Sequence, residues 1–145
     1  MKPFLIAACL AAACGLSTLP RVAQAADFQI LDDHREGCNI TLSGQITAGD
    51  TDRVKSLTAN PDDPRQTRFI DGAVLLCLDS PGGSYLEGLA LARHLAHAGI
   101  RTHVPAGATC LSACALAFLG GSRLGFEDAI VRSVGRSLHA TARLG

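Results

Sequence analysis

Six apolar side chains in succession, Ala73-Val74-Leu75-Leu76-Cys77-Leu78, run straight into Asp79 and the turn Ser80-Pro81-Gly82-Gly83. An apolar run without polar alternation predicts a strand covered on both faces, the kind found at the centre of a parallel sheet. Proline removes a donor and fixes one dihedral, while the two glycines open dihedrals closed to other residues, so the chain turns tightly at the C-terminal edge of that sheet. Ligands of open α/β sheets gather at that edge, and a glycine pair there leaves backbone N–H groups facing them. The expected class is therefore α/β with a mainly parallel sheet.

Ser84 and Glu87 form a capping box that opens a helix running to about Ala98 and closed by Gly99. Its apolar face is expected to carry Leu86, Leu89, Ala90, Leu91 and Leu95, with Arg93, His94 and His97 turned outward. Residues 100–104 alternate as a short strand, with Ile100, Thr102 and Val104 on one side, before the turn Pro105-Ala106-Gly107. Residues 109–119 have no polar face and are too few to span a bilayer, so they predict one buried helix, ended by Gly120-Gly121. Ser112 lies in the first turn of that helix, opposite the glycine turn. A hydroxyl in that position is a candidate nucleophile, because free N–H groups at a helix start stabilise the oxyanion of a tetrahedral intermediate. The competing reading is structural: serine is small, and small residues let helices pack closely.

The segment resembles the core of the Clp protease proteolytic subunit, within the wider crotonase-like superfamily, and especially its exported relatives of unassigned role. The residues that carry the likeness are Ser80-Pro81-Gly82-Gly83 with Gly88, then Thr102 and Val104, then Cys110-Leu111-Ser112-Ala113-Cys114 before Gly120-Gly121. They cover about half the chain, and the likeness reaches back weakly to Ile40. It implies a ClpP/crotonase-like ββα superhelix, with Ser112 as nucleophile and the N–H groups of Gly83 and Ala113 as oxyanion hole. Cys110 and Cys114 depart from the Gly and Met or Ala usual around the serine, a departure shared with the exported subgroup. In the family the base is a histidine just inside the strand after the serine helix. Two assignments stay open here: His139, or a base one or two residues past Gly145, with His139 an ordinary loop residue and the domain incomplete at its C-terminus. The second is preferred, because the family shows a small-residue approach of the kind seen at residues 140–145 immediately before its histidine.

Residues 1–25 read as a secretory signal: Lys2, an apolar run from Phe4 to about Leu16, and the small-x-small site Ala23-Gln24-Ala25. A lipoprotein signal ending at Cys14 is the rival, against which Ala11 stands where a larger aliphatic residue belongs. The resemblance implies that residues 26–145 form one partial ClpP/crotonase-like domain, and the signal implies a periplasmic or secreted protein with no integral membrane segment after cleavage. Of the 13 basic residues the signal takes Lys2 and Arg21, and of the 13 acidic ones none, leaving a slightly acidic mature chain. With no basic stripe it lacks the electrostatic footprint of a nucleic-acid binder. Cys38, Cys77, Cys110 and Cys114 remain, an even number that allows three pairings in an oxidising compartment. A Cys110–Cys114 bond is awkward if both sit one turn apart on a helix. A metal site from His94, His97, His103 and a cysteine would need the helix face and the strand to converge, and solvated helix histidines explain the pattern better. Phe28 to Leu31 and Cys38 to Ile46 alternate as strands that open the sheet, Asp50 caps a short helix with Val54 and Leu57 inward, and residues 60–71 form a loop. Residues 122–136 are mixed, and 137–145 approach another strand.

Two functions follow. One is an exported serine-hydrolase-like, peptidase-type protein acting on a peptide or other acyl substrate through Ser112, inactive as this stretch alone if the base lies past Gly145. A Ser–Lys mechanism is set aside because Lys55 is the sole lysine after the signal. The alternative is a non-catalytic envelope protein that keeps the scaffold for binding or assembly. No cofactor or metal is called for: the acyl-CoA chemistry of crotonases and an ATP-driven unfoldase partner both need compounds not expected outside the cytoplasm. Relatives of this fold commonly form rings, so the resemblance implies a possible homo-oligomer in which helix 84–98 takes part.

Overall fold

The computed structural model describes residues 25–31, 37–58, 74–126 and 130–145. The signal-like segment before Ala25 and the 60–71 loop lie outside the described residues. The elements are β1 (Asp27–Ile30), β2 (Ile40–Ser43), α1 (Asp50–Thr58), β3 (Leu75–Asp79), α2 (Tyr85–Ala98), β4 (Arg101–Val104), β5 (Thr109–Cys110), α3 (Ala113–Leu119), β6 (Ser122–Phe126), β7 (Ile130–Val134), β8 (Arg136–Leu138) and β9 (Arg143–Leu144). Five strands form one sheet in the order β1-β2-β3-β4-β8, in which β1 is antiparallel to β2 and every other pair is parallel. This is a mixed α/β chain with a mainly parallel sheet, and β3, the apolar run, lies in the middle of it.

Register explains the core. Leu76 stands beside Ile40 on one flank and Thr102 on the other, so Ile40, Leu42, Leu76, Leu78, Thr102 and Val104 share one sheet face. Leu91 and Leu95 of α2 and Ala113, Ala117 and Phe118 of α3 close over it in a single buried cluster. On the opposite face Cys77 is buried as well, bonded to Cys38. β3 is thus covered on both sides at Cys77, which is why its middle carries no polar alternation.

Helix α2 starts and stops as its capping residues dictate. Ser84 Oγ accepts from the Glu87 N–H at 3.3 Å, and Gly99 is left-handed with its N–H bonded to the Leu95 carbonyl. Glu87 does not close the box; its carboxylate accepts instead from the Thr51 N–H at 2.6 Å and ties α2 to the start of α1. Three expectations are corrected. Leu86 is 75 % exposed, because the face that α2 buries runs through Gly88, Leu91 and Leu95. His94 is half-buried rather than outward, with an Nε2 that is sealed from solvent and has no hydrogen-bond partner among the described residues. Asp50 accepts backward, from the Thr47 N–H at 2.7 Å, while the Gly49 carbonyl takes the Arg53 N–H, so the N-cap is Gly49 and Asp50 is the first helical residue.

Residues 109–119 are two elements. Thr109 and Cys110 pair with β9, and only Ala113 onward is helical. That division removes the difficulty at Cys110 and Cys114: they lie on a strand and a helix, their Cα atoms are 5.1 Å apart, and they are bonded. The two disulfides differ in reach. In the chain-entropy account Cys38–Cys77, with a sequence separation of 39, contributes about 4 kcal/mol, and Cys110–Cys114, with a separation of 4, about 2 kcal/mol. Residues 122–126 and 130–134, within the stretch 122–136 that reads as mixed in the sequence, pair antiparallel as β6 and β7. Among the described residues no helix is long and apolar enough to cross a membrane.

Candidate functional site

The site forms where β3 ends. Ser80 continues the strand and bridges in parallel to Cys110: its N–H donates to the Thr109 carbonyl at 2.6 Å, and its carbonyl accepts from the Leu111 N–H at 3.1 Å. This one residue carries β5, and with it Ser112, to the C-terminal edge of the sheet. Its buried hydroxyl then accepts from the Gly82 N–H at 3.0 Å, folding the Ser-Pro-Gly turn on itself. Asp79 helps from the exposed side, accepting from the Thr109 N–H at 2.9 Å.

The glycine pair is required by space on both sides of the turn. Gly82 has φ +97°, and a β-carbon there would sit 2.8 Å from Ser112 Cβ and 2.5 Å from the Leu111 carbonyl oxygen. Gly83 has φ +146°, and a β-carbon there would strike the Ile46 carbonyl oxygen. The turn is pinned to β2's extension by the Ile46 N–H to Gly82 carbonyl bond at 2.8 Å and the Ser84 N–H to Ile46 carbonyl bond at 2.9 Å. Neither of these uses the Gly83 amide. Among the described residues no acceptor takes a hydrogen bond from the N–H of Gly83 or of Ala113.

Ser112 itself has φ 53° and ψ −119°, and among the described residues it is the sole non-glycine with positive φ. That conformation is costly for a side chain with a β-carbon. The serine stands directly before α3, exposed, and its hydroxyl does not cap the helix. A β-carbon on Gly82 would meet Ser112 and the Ala113 nitrogen, whereas one on Gly83 would meet Ile46 and Gln45, and the serine lies on the sharp bend that precedes the helix rather than in its first turn.

His139 is elsewhere. Its N–H donates to the Val104 carbonyl at the end of the main sheet, and its Nδ1 accepts from the Thr141 N–H at 3.2 Å and lies 3.0 Å from Thr141 Oγ1. From there a turn leads into β9, whose Arg143 lies opposite Thr109, and Gly145 follows to accept from the Ser112 N–H at 2.5 Å. His139 thus precedes the start of β9 and Ser112 adjoins its end.

The remaining described histidines do not converge. His97 Nδ1 meets Arg132 at 3.4 Å, His103 Nδ1 meets Ser137 Oγ at 2.8 Å on the sheet, and His94 is enclosed beside α1, where burial first and the charges of Lys55 and His97 second lower its pKa. All four described cysteines are in disulfides and offer no thiolate, and among the described residues no three His, Cys, Asp or Glu side chains group as a metal site. A cleft of about 450 Å³ opens along the same sheet edge, between Thr41, Ser43 and Asp79 on one side and residues 105–108 on the other.

The role of Ser80 Oγ was available to sequence reasoning, since Ser before Pro-Gly commonly bonds its own turn. The bend at Ser112 was not, because nothing local selects positive φ for serine. In comparison with known proteins no family model matches the chain, and neither a curated protein nor a solved structure matches it.

Proposed function

We propose that Ser112 is the nucleophile of a serine-hydrolase-type site acting on a peptide or another acyl substrate, on a ClpP/crotonase-like ββα scaffold. The observation that carries the reading is the bend at Ser112. A serine held at φ 53° with its hydroxyl exposed and uncommitted, against a glycine turn, is arranged for attack on a bound carbonyl rather than for packing or capping. The N–H groups of Gly83 and Ala113, left without acceptors among the described residues, are the assigned oxyanion donors. The protein is exported in this reading, which the signal-like residues 1–25 and two disulfides support.

The base in this proposal is not His139, whose ring is held by Thr141 at the far end of β9. A fluorophosphonate probe tests the nucleophile: slow labelling at Ser112, driven by the bend and the oxyanion donors without a neighbouring base, lost in Ser112→Ala and kept in His139→Ala, is the expected result. Equal labelling of the Ser112→Ala form would sink the site, and loss of labelling in His139→Ala would return that histidine to the mechanism. Loss of a nucleophile of this type removes several kcal/mol of transition-state stabilisation.

A second reading has one observation in its favour. Among the described residues no side chain hydrogen-bonds to the Ser112 hydroxyl, as expected of a non-catalytic envelope protein that keeps the scaffold for binding or assembly. A protein that is correctly folded and refuses the probe under all conditions would favour it.

A further inference from the structure

Ser112 lies midway along the small ring that the Cys110–Cys114 bond closes. We propose that this disulfide is the positioning device of Ser112: Cys110 and Cys114 hold the serine in its left-handed bend, and Ser112 is reactive only while the bond is intact. The proposal rests on the reading of Ser112 as nucleophile.

A costly backbone conformation persists only where its surroundings over-determine it. The hydroxyl of Ser112 contributes nothing to holding the bend, since it makes no hydrogen bond to the helix it precedes. The residues two before and two after it are fixed. Cys110 is buried and pinned as a strand between the Ser80 bridge and Leu144 of β9. Cys114 is equally buried in α3, with its N–H on the Leu111 carbonyl at 3.0 Å. The covalent bond between them prevents the chain from lengthening across Leu111, Ser112 and Ala113, the move by which the serine would relax to an ordinary dihedral. As a staple of the whole fold this ring contributes less than Cys38–Cys77, because a short loop removes little freedom from the unfolded chain. Its position around the one strained serine therefore accounts for it better than stability does.

A dithiol reductant gives two electrons and two protons to the bond, leaving Cys110 and Cys114 as thiols and itself as a cyclic disulfide. Ser112 is not consumed, so reoxidation restores it.

The test compares oxidised protein, protein reduced by dithiothreitol, a Cys110→Ala/Cys114→Ala form and a Cys38→Ser/Cys77→Ser form. The rate of fluorophosphonate labelling at Ser112 is read well below each thermal midpoint, with the Ser112 backbone conformation read from its amide–Hα coupling and carbon shifts. Expected is a loss of labelling rate of about ten- to a hundredfold in the reduced and Cys110→Ala/Cys114→Ala forms, with Ser112 leaving positive φ. Cys38→Ser/Cys77→Ser, which loses more stability, should label at the oxidised rate while folded. Equal labelling with and without the Cys110–Cys114 bond, or positive φ retained in its absence, overturns the positioning role alone. No labelling of the oxidised protein at all overturns the nucleophile reading and this proposal with it.

Discussion

Gly83 and Gly107 both have positive φ, at +146° and +72°, and yet they do different work. A β-carbon on Gly83 meets the Ile46 carbonyl, whereas one on Gly107 meets nothing within 4 Å. Alanine at Gly107 should therefore cost only its dihedral penalty, about 1 kcal/mol, and leave probe labelling at Ser112 unchanged. Valine at Gly83 has to break the Ile46 pairing as well, displacing the turn and its unused N–H, and should abolish labelling with Ser112 intact. Thermal melts and labelling of the two variants side by side decide it; a Gly83→Val form that still labels would remove this glycine from the oxyanion hole. At this scale the sequence was informative wherever a residue's own chemistry fixes its backbone: the glycine pair, the Ser84 cap and the Gly99 stop were all legible. It was silent at Ser112, whose dihedrals are imposed by β5, α3 and the disulfide around it and not by serine.

Helices α2 and α3 meet through their small residues. A β-carbon on Gly88 would lie 2.5 Å from the Ala113 carbonyl oxygen, and one on Gly120 would strike the Ala92 carbonyl. This seam explains why the face of α2 was only half legible. Its leucines span more than one possible face, and the contact that selects Leu91 and Leu95 over Leu86 is made by a glycine, which has no hydropathy to read. Gly88→Val should push α3 away and destabilise by about 1–3 kcal/mol, with labelling of Ser112 reduced because the serine leads into α3. His94 on the same helix predicts a pH dependence. Burial, aided by Lys55 and His97, lowers its pKa in the folded state, so below the ordinary value of about 6.5 the unfolded chain binds more protons. Stability is accordingly full above that pH and declines as the pH falls toward the folded pKa. Thermal midpoints taken from pH 8 to pH 5 should show this decline in the native protein and less of it in His94→Gln; identical profiles would show that His94 is solvated in solution.

On the scale of the whole molecule the parallel sheet was legible from its central strand alone, but its far edge was not. β8 and β9 are three and two residues long, too short to show a period, and both are recruited by neighbours already in place, β4 and β5. Long-range covalent bonds were legible only as an even count of cysteines. Their pairing sets the last prediction. Cys38 precedes β2 and Cys77 sits inside β3, so their bond fixes two adjacent parallel strands that the chain joins only through α1 and the residues after it. Parallel neighbours must close such a connection before their pairing is rewarded, and the loop-closure cost grows with its length. Cross-linking that loop in the unfolded chain is worth about 4 kcal/mol, a large part of the ~5–15 kcal/mol that holds a domain together. Cys38→Ser/Cys77→Ser should thus lower the thermal midpoint by roughly 10–20 °C, and Cys110→Ala/Cys114→Ala by about half as much. Circular-dichroism melts of the two forms in the absence of reductant measure the order directly. If the short ring proved the more costly to lose, loop entropy would not be what these bonds contribute, and the rigidity of the Ser112 bend would have to be counted among the forces that hold the fold.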